Sequence, residues 1–216
     1  DLFRAYKITS NGLDTVNFVS SNIGATSTGN CNMGCLKASP DGKKLAMAFW
    51  CNGAGAHFEL YDFDPATGII SNLNNLGYPT GLSYSTAYGV EFSPDGNKLY
   101  GTTHMALKIF QWNLLAGSNA AISSSRTLIG TASKYVGALQ LAPNGKIYAA
   151  LSTDGVTGFE RIGAITNPNA LGTSSAYNDN GFYLEGKLSR QGFPNYIQSF
   201  LYTPPFTANN LCLGDT

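Results

Sequence analysis

The chain has 216 residues, 13 basic and 13 acidic, and a formal net charge of zero; 43% of its residues are apolar and only 12% are charged. A charge-poor, balanced chain without a basic run argues against electrostatic binding of nucleic acid or of an anionic membrane surface. No run of 18 apolar residues exists, so no membrane-spanning helix is predicted, and the length suits one β-rich domain with a sizeable core.

Residues 1–3 open inside what reads as a strand, with no signal-peptide pattern before it, which predicts a piece of a longer protein. Residues 3–9 (FRAYKIT) form that strand, and Ser10-Asn11-Gly12 turns it. The same pattern recurs at residues 58–64 before Pro65-Ala66-Thr67-Gly68, and at residues 107–113 before Gly117. These three segments are expected to be the outer strands of successive blades. Trp112-Asn113 loosely resembles a Trp-Asp repeat signature, although an ordinary packed aromatic is the simpler account of Trp112.

The clearest repeat lies at residues 89–103, GVEFSPDGNKLYGTT. Val90 and Phe92 alternate with Glu91 and Ser93, Pro94-Asp95-Gly96 turns the chain, and Leu99 starts a second run. Alternation of period two on either side of Pro and Gly is a hairpin signature. Leu36 to Ala46 matches this unit position for position, and Leu139 to Tyr148 matches it with one residue fewer. The turn prolines lie 54 and then 49 residues apart, and a degenerate fourth copy is expected 51 residues later, at Gly192-Phe193-Pro194-Asn195. A period near 50 with several short strands per unit predicts a β-propeller.

Each unit is expected to read a, b, c, d. Strand a lies near residues 16–20, 69–73 and 126–129. Strand b carries Leu36, Val90 and Leu139; strand c carries Leu45, Leu99 and Ile147; strand d carries Leu60, Ile109 and residues 162–165. A weaker fourth unit has Tyr183 to Glu185 as b and residues 196–201 as c. No helical period persists. Two closures stay open: residues 3–9 pair beside residues 196–201 and complete a four-bladed ring, or the chain is an arc of a larger propeller. Residues 1–203 are therefore assigned to the propeller. Residues 204–216, from Pro204-Pro205 onward, are assigned to a linker and the first strand of a following immunoglobulin-like or PKD-like domain.

Three motif groups carry a resemblance. They are Gly34-x-Leu36-x-x-Ser39-Pro40-Asp41-Gly42-Lys43 with Glu59-Leu60-Tyr61-Asp62-Phe63-Asp64; Tyr88-Gly89-Val90-Glu91-Phe92-Ser93-Pro94; and residues 137–148 with the closing run Gly192-Phe193-Pro194-Asn195-Tyr196-Ile197-Gln198-Ser199-Phe200. Together they resemble the propeller region of large gliding-motility-associated surface proteins with a type B sorting domain, substrates of type IX secretion. The resemblance covers nearly all of residues 3–202. It implies export to the cell surface, and partners among the other domains of the same polypeptide, the secretion machinery, and a cell-surface protein or glycan. It supplies no catalytic motif and no cofactor.

The residues themselves point the same way. Gly81-Leu82-Ser83-Tyr84-Ser85 fails the nucleophile-elbow pattern. His57 and His104 read as structural histidines, and no calcium loop or zinc spacing is present. A facing carboxylate pair, as a glycosidase needs, is not legible, so a non-catalytic module is expected, with a polysaccharide hydrolase or lectin-like module as the alternative. The b–c and d–a connections are expected to be short. The connections at 22–34, 50–56, 77–88 and 153–158 are long and share one face, where Trp50, Tyr78, Tyr84 and Tyr88 are the candidate ligand-binding residues. Four cysteines without metal spacing favour disulfides. Ser39 facing Lys44 across the turn makes opposed positions sum to 83, which brings Cys31 next to Cys51 and leaves Cys35 buried and reduced; Cys31–Cys35 and no disulfide at all are the competing states.

Overall fold

The computed structural model describes residues 2–26, 33–51, 55–79, 81–82 and 86–194. The following-domain strand expected at 204–216, the pairing of 196–201, Tyr84 and Cys31 lie outside them. The chain is all-β, a propeller built of four-stranded antiparallel blades. Blade one comprises β3 (Leu36–Ala38), β4 (Lys44–Phe49), β5 (His57–Asp64) and β6 (Ile69–Gly77). Blade two comprises β7 (Ala87–Phe92), β8 (Lys98–Thr103), β9 (Lys108–Asn113) and β10 (Thr127–Thr131). Blade three comprises β11 (Tyr135–Leu141), β12 (Ile147–Ser152), β13 (Arg161–Ile165) and β14 (Tyr177–Tyr183). Before them, β1 (Leu2–Thr9) and β2 (Gly12–Asn22) pair as a two-stranded sheet.

The phase of the repeat differs from the expected one by a strand. The segments expected as strand a are the outermost strands, paired onto the preceding blade, as in Phe63↔Ile70 and Leu128↔Phe110. The segments expected as outer strands, β5 and β9, are therefore third in their sheets. The cause is local: Asp64 to Gly68 is a tight turn, closed by Gly68 N–H donating to the Asp64 carbonyl at 2.7 Å, and a tight turn pairs its flanking strands in one sheet. By the same equivalence β1 and β2 are the third and fourth strands of a further blade.

The hairpin turns form as expected. Ser39 and Ser93 carbonyls accept from Gly42 and Gly96 N–H at 2.8 and 2.9 Å, and both glycines have positive φ, 70° and 71°, which suits a residue without Cβ. Ser39 and Ser93 hydroxyls each donate to the turn aspartate and accept from Lys44 and Lys98 N–H at 2.9 Å. The predicted register is realised at Leu36↔Met47, Ala38↔Leu45 and Met33↔Trp50. The expected fourth turn copy, at Gly192-Phe193-Pro194-Asn195, lies partly outside the described residues, and only the stretch leading into it can be placed. Gln191 carbonyl accepts from Ala138 N–H at 2.8 Å, so residues 190–194 run beside β11 in the place of the next blade's first strand.

Two connections expected to be short are long. The one between β9 and β10 carries a six-residue helix, α1 (Asn119–Ser124), capped by Ser118 Oγ accepting from Ala121 N–H. The one between β13 and β14 carries a 3-10 turn at Gly172–Ser175; Gln111 Nε2 donates to Ala170 carbonyl and Gln111 Oε1 accepts from Gly172 N–H, which lays that loop over blade two.

The core lies between blades rather than within them. Ala46, Ala48, Phe58 and Leu60 of blade one pack on Val90, Phe92, Leu99 and Trp112 of blade two. Tyr100 and Ile109 of blade two pack with Leu139, Leu141, Ile147 and Ile165 of blade three. Trp112 is fully buried, 5.1 Å from the Phe58 ring. Every residue of β8 is buried, because blade two is sandwiched on both faces, whereas most of β1 and β2 is exposed.

Candidate functional site

The first strands β3, β7 and β11 run side by side at the centre of the arc, and equivalent positions face one another there. Positions Cys35, Gly89 and Ala138 form one layer; Lys37, Glu91 and Gln140 form the next. No side chain fits at Gly89 in the first, nor at Gly137 beside it. A Cβ on Gly89 would lie 2.5 Å from the Gly137 carbonyl oxygen, and one on Gly137 would lie 2.1 Å from that of Gln191. Backbones thus meet directly from blade to blade.

The second layer is polar. Lys37 Nζ donates to Gln140 Oε1 at 2.8 Å and lies 3.4 Å from Glu91 Oε2. Glu91 is fully buried; its Oε1 accepts from Phe92 N–H and its Oε2 from Leu141 N–H, both at 3.0 Å. Lysine from blade one, glutamate from blade two and glutamine from blade three therefore tie the three inner strands together. Above this layer is a cavity of about 330 Å³ lined by Cys35, Lys37, Tyr88, Gln140 and Phe193, among others, a size at the lower end of small-molecule sites. Burial, with smaller contributions from Glu91 and opposed by Lys37, pushes the Cys35 thiol up. Cys35 is a free cysteine and only half-buried, less buried than expected.

Of the described aromatic residues expected to bind ligand (Trp50, Tyr78 and Tyr88), Tyr88 alone lines this cavity. Trp50 bridges to both Met33 and Thr86, and Tyr78 packs against the blade-one core while its hydroxyl accepts from Thr86 N–H at 3.0 Å; these two serve the connection between blades. Tyr88 also faces His104, which is buried between the rings of Tyr88 and Tyr135 at 5.4 and 5.1 Å, and burial pushes its pKa down. Cys51 is buried. The polar layer of Lys37, Glu91 and Gln140 is what sequence reasoning missed: each follows an apolar residue in its strand (Leu36, exposed; Val90 and Leu139, buried) and reads as a solvent-facing polar position.

A second buried carboxylate lies away from the axis. Glu59 accepts from Ala25 N–H at 2.9 Å and from the Tyr61 hydroxyl, and its Oε1 is 3.2 Å from His57 Nε2. Among the described residues no group of three or more His, Cys, Asp or Glu side chains can hold a metal ion, and no helix is long and apolar enough to cross a membrane.

No family model matches the chain, and none of the curated proteins matches it in sequence. Among solved structures it is similar to the PQQ domain of pyranose dehydrogenase from Coprinopsis cinerea (14% identity, TM-score 0.49, covering 72% of this chain and 39% of that one). It is also similar to a putative 6-phosphogluconolactonase from Bacteroides fragilis (15%, 0.49, 81% and 50%) and to a protein from Lactobacillus plantarum (17%, 0.47, 74% and 46%). The chain spans half or less of the length of each.

Proposed function

We propose that this chain is a non-catalytic binding and structural propeller module of a large secreted cell-surface protein exported by type IX secretion, acting in adhesion or gliding. The observation that carries the non-catalytic reading is the state of the two buried carboxylates. Both oxygens of Glu91 and both of Glu59 are taken by donors of this chain, so neither is left to give or take a substrate proton as a glycosidase acid or base must. The axial cavity supplies the binding surface. Its one cation is neutralised by Glu91, and it offers the Tyr88 hydroxyl, the Gln140 amide and an aromatic wall at Phe193, which suits an uncharged, hydroxyl-rich ligand such as the end of a cell-surface glycan.

Export and the disulfide rest on the sequence. The Cys31–Cys51 pairing belongs to this reading, supported by the register that places Met33 opposite Trp50. Glycan-array binding with the intact chain, followed by incubation of each hit and chromatography of the products, tests the function. Binding that Tyr88→Ala weakens, without turnover, is expected; release of cleaved product from any hit would replace this reading with the hydrolase. Loss of the parent protein from the cell surface in a secretion-deficient strain tests the export route.

A further inference from the structure

His57 and Glu59 sit where blade one meets the β1–β2 hairpin. Both ring nitrogens of His57 face acceptors: Nδ1 lies 2.6 Å from the Gly55 carbonyl oxygen and Nε2 3.2 Å from Glu59 Oε1. A neutral imidazole carries one N–H, which the Gly55 carbonyl takes at Nδ1; the Nε2 contact has ion-pair distance without hydrogen-bond geometry, so it is an attraction of charge that only the imidazolium has. The ring lies flat on Phe49, with centroids 4.6 Å apart and planes 11° from parallel, so it cannot swing away without losing that stack. Glu59, in turn, holds the backbone leaving β2. Its Oε1 accepts Ala25 N–H, and Gly24, at a φ of 95°, packs closely on the Tyr61 hydroxyl and Glu59 Oε2.

We infer that the His57–Glu59 pair is a proton-operated latch that fastens the segment after β2 to blade one, closed while the imidazole is charged and loosened when it is neutral. Losing the proton leaves one of the two acceptors facing a lone pair, and it removes the cation that holds Glu59 as a buried carboxylate against Ala25.

The groups around the pair favour this. Burial opposes charge on both residues, yet Glu59 and the Gly55 carbonyl hold His57 above its ordinary value, and His57, Tyr61 and the Ala25 amide hold Glu59 below its own. Among the described residues the other titratable group facing the pair is Tyr61, on β5; β4 contributes Phe49, and residues 24 and 25 after β2 contribute backbone. His57's contribution is therefore fully present below its ordinary pKa of 6.5 and is lost as pH rises through its raised value. Two further contacts of the hairpin with blade one do not titrate in this range: Ser21 Oγ accepts Ile70 N–H at 3.0 Å, and Phe3 meets Tyr61 edge-on at 5.2 Å. Opening is thus confined to the segment after β2.

Amide exchange of the whole chain, followed by NMR from pH 5.5 to 9 and corrected for intrinsic rates, tests the latch. Ala25 protection is expected to fall roughly tenfold as the His57 ring C–H signals titrate, the scale for losing one charge-assisted hydrogen bond. Amides of β8 should show no such step. His57→Gln, which cannot change charge, should abolish the Ala25 step. A wild-type His57 that titrates without any change at Ala25, or a step that survives in His57→Gln, would overturn the inference; the wild-type comparison stands even if the variant fails to fold.

Discussion

Replacing Lys37 with methionine isolates the axial polar layer. Methionine keeps most of the aliphatic stem and removes the ammonium 3.4 Å from Glu91 Oε2 and 2.8 Å from Gln140 Oε1. Removing one partner of a buried pair costs about 3–5 kcal/mol, because the other charge stays buried and uncompensated. Here Glu91 is fully buried but keeps the N–H groups of Phe92 and Leu141. The Lys37 side chain is 17% exposed, so cavity water can partly replace it. The lower end, about 3 kcal/mol, is expected, or a fall in Tm of roughly 6–12 °C in a domain of this size. Glu91→Gln should cost about 1–3 kcal/mol, since its amide would turn a donor toward one of two backbone donors. The double variant should be less damaged than the sum, with a coupling of about 1–2 kcal/mol. Urea unfolding of the four proteins at pH 7 measures the cycle. A Lys37→Met variant within about 0.5 kcal/mol of the parent, or strict additivity, would refute the idea that this layer ties the blades together.

Gly101→Ala would place its Cβ 2.8 Å from Phe58 Cε1 and 2.9 Å from Trp112 Cζ3; overpacking of this kind should cost about 1–3 kcal/mol, read as a lowered thermal midpoint, and an unchanged midpoint would contradict the packing between blades one and two. Asp41, Asp62 and Asp95 are held below their ordinary pKa of 3.8, with hydrogen bonds from Ser39, Lys44 and Ser93 prominent among the causes and burial opposing all three. Their contribution is full above that value and lost as pH falls through the lowered ones, so an acid titration of stability should be level above about pH 5 and fall steeply below about pH 4. Non-reducing peptide mapping should return a Cys31–Cys51 linked peptide with Cys35 alkylated; a linked peptide containing Cys35 would overturn the register argument.

The hairpins were legible because Pro-Asp-Gly carries its own mechanism: a preset φ, a side-chain acceptor and a residue free of Cβ. The blade phase was misread for want of weight on turn length. The tight turn at Pro65 to Gly68 binds β5 to β6, and the long connection after Gly77 is what crosses to the next blade. Of the fourth copy only the stretch before Pro194 is described, and the Ala138–Gln191 hydrogen bond sets it beside β11, where a first strand belongs. The axial layer hid for a different reason. Glu91 reads as the polar half of an alternating strand, and nothing within 50 residues of Lys37 announces that Gln140 will face it. The aromatic residues Trp50 and Tyr78 drew attention by type, yet their half-buried rings brace a connection; of the described candidates only Tyr88 shares the cavity.

The pairing of β6 with β5 has a consequence for how such a chain is assembled and altered. Each complete blade is one uninterrupted segment, closed by three sequential hairpin-like connections, with no strand borrowed from a neighbour. As the chain emerges, a sheet can finish pairing before the next begins, so a protein made end first gains order piece by piece, at low loop-closure cost. A segment of about 50 residues then behaves as a cassette: gene duplication or loss of one such unit lengthens or shortens the arc without rewiring any remaining sheet. What must be renegotiated is confined to the axis, where Lys37, Glu91 and Gln140 show three successive units already carrying three different side chains at one position.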